Sequence, residues 1–136
     1  MNEKIVRLLI NQVEKAEKSD EIPVGALVVD KKWNIIAVGC NNRQGNCNVL
    51  GHAEINAIIK AEKKINDWRL NGYDLIVNLE PCEMCSIIIK EARIDNVYYF
   101  VDSSKSFLDN SIKITEYPEY TVLFVDKLKE YFKNKR

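Results

Sequence analysis

The chain has 136 residues, 46% hydrophobic and 29% charged, a globular balance with enough length to bury a core without disulfide staples. Its 20 basic and 20 acidic side chains cancel, which excludes a broad electrostatic grip on nucleic acid and makes any polynucleotide contact local. No apolar run approaches a membrane span, and Met1 to Ile10 leads directly into charge rather than into a signal-peptide cleavage site, so one cytoplasmic domain over residues 1–136 is expected.

Residues 2–18 place Ile5, Leu8, Leu9, Val13 and Ala16 at i, i+3, i+4 spacing between charges, which predicts an amphipathic helix covering one face of a sheet. Pro23 interrupts, and residues 24–30 and 34–39 read as a hairpin turning at Lys31 to Trp33. Asn41 to Gly51 is polar and rich in turn formers, a loop of the kind that carries function. His52 opens a helix to about Lys64, with Ile55, Ile58 and Ile59 on one face. Residues 73–79 form a buried-type strand, and Pro81 sets up a helix from about Cys82 to Arg93. Asn96 to Val101 is a further strand. After it come a poorly patterned span from Asp102 to Tyr120, another apolar run from Thr121 to Val125 and a closing helix from about Asp126. This alternation predicts an α/β fold: a three-layer αβα sandwich on a mixed sheet of about five strands, antiparallel at the hairpin and parallel beyond it.

The only histidine, His52, stands two residues before Glu54, and Pro81-Cys82-Glu83-Met84-Cys85 follows. HxE with a later PCxxC is the signature of zinc-dependent nucleobase deaminases, and the chemistry accounts for it. One imidazole and two thiolates suit Zn2+ and leave a tetrahedral position open, as a catalytic zinc requires. One zinc per chain is expected. Cys82 and Cys85 both fall at a helix start, whose positive end favours thiolate. Glu54, which holds no metal, is the candidate general acid and base. The bland alternatives are a structural histidine, an ordinary helix start, a purely structural zinc and a thioredoxin-like CxxC; they do not account for HxE and PCxxC together. Cys40 and Cys47 read as bystander thiols.

The stretches Glu21-Ile22-Pro23-Val24-Gly25-Ala26, Asn42-Arg43, His52-Ala53-Glu54, Asp67-Trp68-Arg69-Leu70 and Leu79-Glu80-Pro81-Cys82-Glu83-Met84-Cys85 also form a set. Together they make the chain resemble the cytidine deaminase-like superfamily, and within it the bacterial tRNA-specific adenosine deaminases, from about Ala16 to Arg93. The resemblance implies a homodimer that converts adenosine to inosine at the wobble position, with the tRNA anticodon loop as partner. It implies that Asn42 hydrogen-bonds the nucleoside, that Ala53 offers its backbone and that Ile22 supplies an apolar wall. Ile87-Ile88-Ile89 gives the PCxxC helix more apolar surface than one buried face uses, which fits the dimer. Beyond Val101 the pattern departs: Asp102 to Phe107 lacks the family's glycine-rich, acid-containing segment, and the C-terminal third is shorter.

Two other functions remain open. A deaminase of a free base or nucleoside, such as guanine or cytosine, uses the same zinc site and suits the zero net charge. A non-catalytic zinc-stabilised binding module is disfavoured by Glu54. Lys127, Lys129, Lys133, Lys135 and Arg136 beside Tyr131 and Phe132 read either as a solvated helix end or as an RNA contact.

Overall fold

A computed structural model describes residues 1–135. The chain runs α1 (Glu3–Lys18), β1 (Gly25–Val29), β2 (Ile35–Cys40), α2 (Ala53–Ile65), β3 (Asp74–Leu79), α3 (Glu83–Glu91), β4 (Asn96–Val101), β5 (Ser111–Lys113) and α4 (Pro118–Asn134). The five strands form one sheet in the order β2-β1-β3-β4-β5. β1 pairs antiparallel with β2 and β3, whereas β3–β4 and β4–β5 are parallel, so the expected mixed sheet and three layers are present.

Every residue of β1 is buried because the sheet is covered on both sides. Successive side chains alternate between two cores. Ala26, Val28, Leu75 and Val77 point to the α2 and α3 side, where they meet Ala57, Ile58 and Ile89. Leu27, Val29 and Ile76 point to the other side and pack with Leu9 and Val13 of α1 and Phe124 of α4. Phe124 meets Phe100 of β4 edge-on at 5.1 Å between ring centroids, which fixes α4 over the parallel end of the sheet.

Two elements differ from the sequence expectation, both after Val101. Thr121 to Val125 lies inside α4, which begins at Pro118 rather than near Asp126. Proline at the first helical position starts the helix, and burial of Phe124 and Leu128 on one stripe overrides the β-branched composition of the run. The fifth strand is instead Ser111–Lys113, which has no strand pattern of its own. It forms because the edge of β4 offers unpaired backbone groups: Val97 N–H donates to the Asn110 carbonyl at 3.1 Å and Ile114 N–H to that of Tyr99 at 2.7 Å.

One glycine sets the depth of the site. A Cβ on Gly39 of β2 would stand 2.5 Å from the Ala53 carbonyl oxygen and 2.6 Å from Ala57 N, so α2 lies directly on the strand at its first turn. Backbone cannot move aside as a side-chain tip can. Gly39→Ala is therefore expected to lower stability by about 1–3 kcal/mol and to displace the α2 start, read as a lower urea midpoint together with lower zinc content.

Candidate functional site

Two helix starts meet at one end of the sheet, and each uses a would-be metal ligand as its N-cap. His52 caps α2 and Cys82 caps α3, both with extended backbone and neither with a side-chain hydrogen bond to the helix. The ring and the thiol are thus left free. The capping work at α2 falls to Asn41, whose Oδ1 accepts from Ala53 N–H at 2.8 Å. Cys85 lies in the first turn of α3, fully buried.

The imidazole and the two sulfurs offer ligand atoms within 4.8 Å of one another, and this is the three-ligand cluster found among the described residues. Cys85 Sγ stands 3.5 Å from His52 Nδ1. Zinc bond lengths and a tetrahedral angle require a sulfur-to-nitrogen separation of about 3.5 Å, so the pair fits that ion. Burial, with a contribution from the charge of Arg43, lowers the His52 pKa and keeps the ring in the neutral, ligating form. Burial pushes the Cys85 thiol far up, and the charges of Glu54 and Cys82 add to it. Burial thus works against the helix dipole at this thiol, and a bound cation would favour its thiolate.

Glu54, 4% exposed in the first turn of α2, faces the same space. Burial raises its pKa to about 7, opposed by hydrogen bonds from its own backbone and from Cys85. A carboxyl poised near neutrality can both accept and return a proton. Above these groups lies a cavity of about 230 Å3, small for a drug-sized ligand and suited to a single ring system. His52, Glu54 and Cys82 line it together with Ile22, Val24 and Leu79, and Phe107 and Phe132 add two aromatic walls.

Of the three residues expected to bind substrate, Ile22 lines this cavity. Ala53 is fully buried, with its N–H engaged by Asn41. Asn42 lies outside the lining, its Oδ1 accepting from Asn56 Nδ2 at 2.9 Å, and Asn41 stands in the lining one position earlier. Glu80 also lines the cavity, and its Oε1 accepts from Ser103 N–H at 3.2 Å, which holds the chain leaving β4 over it.

Sequence reading passed over three residues that shape the site. Asn78 is fully buried and staples the segment carrying Ile22 and Val24, accepting from Gly25 N–H at 2.9 Å and donating to the Pro23 carbonyl at 3.0 Å. Its signal was a lone amide interrupting the apolar run from Leu75 to Leu79. Glu21 is buried and accepts from the N–H groups of Gln44 and Gly45 at 3.0 and 2.8 Å, tying down the loop before His52. Asn41 is the third.

Residues 1–101 match the family model described as the cytidine and deoxycytidylate deaminase zinc-binding region, a stretch that contains all three ligands and Glu54. The chain belongs to this deaminase family. It is a zinc-dependent hydrolytic deaminase whose His52, Cys82 and Cys85 are positioned to bind one metal ion. The deaminase is 40% identical to a tRNA-specific adenosine deaminase of Rickettsia bellii (strain RML369-C) over 101 residues, covering 74% of this chain and 70% of that protein. A solved structure from a study of A-to-I editing by tRNA:A34 deaminases at the wobble position superimposes with a TM-score of 0.80 at 27% identity, covering 93% of this chain and all of that one. A guanine deaminase from Nitrosomonas europaea superimposes with a TM-score of 0.82 at 18% identity, covering 96% of this chain and 84% of that one, and shares the fold. The family match ends at Val101, so Phe107 and Phe132 enter the deaminase's cavity from beyond it.

Proposed function

We propose that the deaminase converts adenosine to inosine at the wobble position of a tRNA anticodon. The carrying observation is the buried Glu54 carboxyl beside the His52–Cys82–Cys85 cluster, at the floor of a cavity sized for one base. Identity with a tRNA-specific adenosine deaminase across the ligand-bearing region supports RNA as the substrate. His52, Cys82 and Cys85 would hold the zinc, which would supply Lewis acidity for attack by water at neutral pH. In this reading Glu54 takes one proton of the attacking water and delivers it to the ring nitrogen beside the target carbon, then takes the second proton from the same oxygen and gives it to the departing amine as the carbonyl forms. The carbon–nitrogen bond breaks, ammonia leaves and a carbonyl remains. Ile22, Val24 and Leu79 shield the base from bulk water, and Asn41 in the lining, with Asn42 next to it in the chain, supplies an amide to read its edge or ribose.

Incubation of zinc-loaded protein with tRNA and with a panel of free bases and nucleosides, followed by mass analysis of the digested products, tests the reading. Inosine at the wobble position of a tRNA is the expected product. Guanine or cytosine turnover with unmodified tRNA would establish the second reading, which the zero net charge favours.

We further propose that residues 1–136 act as one domain and that the protein works as a cytoplasmic homodimer. Free cysteines and a thiolate-rich site suit a reducing compartment, and no helix of the described residues is long and apolar enough to cross a membrane. Ile59 and Trp68, together with Ile87 on α3, leave large apolar side chains exposed for a second copy to cover.

A further inference from the structure

The backbone ladder between β1 and β3 stops short of the cavity. Its last pair toward the site is Ala26 with Val77, and the next two residues, Gly25 and Asn78, are joined through a side chain instead. Asn78 Oδ1 accepts from Gly25 N–H at 2.9 Å, and its Nδ2 donates to the Pro23 carbonyl at 3.0 Å. One fully buried amide thus uses both of its halves on the short segment that enters β1. An apolar side chain at 78 would deprive both backbone groups of these partners, a costly loss in a buried place.

The segment held in this way supplies one wall of the cavity. Val24, between the two held residues, lines it, and Val24 N–H donates to the Ile22 carbonyl at 2.7 Å, a tight turn at Pro23 that brings Ile22 to the same wall. The Val24 carbonyl accepts from Asn41 N–H at 3.1 Å. Asn41 lines the cavity too and caps α2 through Ala53, the residue between His52 and Glu54. On its other side the segment has no room to retreat: a Cβ on Gly25 would stand 2.7 Å from Gln12 Cβ and 2.9 Å from Val13 N of α1. The wall is therefore clamped between α1 and a single amide of β3.

On the reading of this cavity as the base site, we propose that Asn78 is a positioning residue for the target base. It lies outside the lining and touches no substrate. Through Pro23 and Gly25 it sets where Ile22 and Val24 stand relative to Glu54 and the His52–Cys82–Cys85 cluster. The three ligands lie at the starts of α2 and α3, not on the held segment, so the metal site keeps its own supports. A residue that only joined two strands would affect every bound form alike, whereas a wall matters only to the base that lies against it.

The test uses two RNA stem-loops that differ only at the target position, one with adenosine there and one with an abasic site. For zinc-loaded wild type and Asn78→Ala, the KM of the first and the inhibition constant of the second as its competitor are measured. Asn78→Ala is expected to raise KM by about tenfold, the scale of a lost apolar contact in a pocket, with zinc content and the inhibition constant of the abasic loop unchanged. Asn78→Thr suits a strand and keeps one hydroxyl in place of two polar atoms, so it should show the same split at smaller size and decides the matter if the alanine variant does not fold. An unchanged KM overturns the assignment, because the wall then stands without the amide. KM and inhibition constant raised together overturn it as well, since the effect is then general and not at the base. Loss of zinc in both variants overturns it too, because the amide then supports the metal site. Wild type that turns over a free base and no RNA overturns the RNA reading alone. The KM for that base is then the deciding quantity, expected to rise about tenfold in Asn78→Ala, and an unchanged value overturns the role of Asn78.

Discussion

Glu54→Gln is expected to keep one zinc per chain and to lower kcat by about 100- to 10,000-fold. The amide preserves shape in a buried position yet can neither take a proton from water nor return one to the leaving amine. Burial already disfavours the ionised carboxyl, raising its pKa to about 7. Removing that charge should therefore leave the urea midpoint of the metal-free protein unchanged or higher, the usual conflict between activity and stability at a working residue. Zinc analysis and single-turnover rates on the same preparation check both halves. If Glu54→Gln loses metal as readily as His52→Ala, the carboxylate is a ligand and its assignment as acid and base is wrong.

Cys85→Ala is expected to weaken zinc binding by more than about 100-fold, since even altering residues that merely support a ligand costs about 10- to 100-fold. Cys85 is the buried member of the cluster, and its sulfur stands 3.5 Å from the imidazole nitrogen. Its loss removes a bond and leaves the other two ligands with no third corner. Elemental analysis after dialysis against a chelator measures the effect, with thermal unfolding alongside to record the stability that metal no longer contributes. A Cys85→Ala protein that still carries one zinc per chain after dialysis would mean that the ion sits elsewhere.

The metal ligands were legible because both motifs are local. HxE and PCxxC each fall within a single helix start, so residue spacing fixes which side chains emerge together. The first four strands and the first three helices were legible for a similar reason. Hydrophobic period and the placement of proline decide them over short stretches. The substrate amide was harder. Asn41 and Asn42 are both plausible turn residues, and only the path of the chain from β2 to His52 turns Asn41 onto the α2 N-terminus and Asn42 toward Asn56.

What the sequence determined by itself was the reaction chemistry, the family and the layered α/β plan, since each is written in short patterns whose physics is satisfied within a turn or a strand. The tertiary structure alone decided the walls of the substrate space. Ser111–Lys113 became a strand because β4 had an open edge, and the Thr121 to Val125 run became helix because Phe124 packs on Phe100. That packing carries Phe132 to the lip of a cavity whose floor is made by His52, Glu54 and Cys82. Residues so far apart in the chain meet only through the burial of a shared core, which no local pattern records.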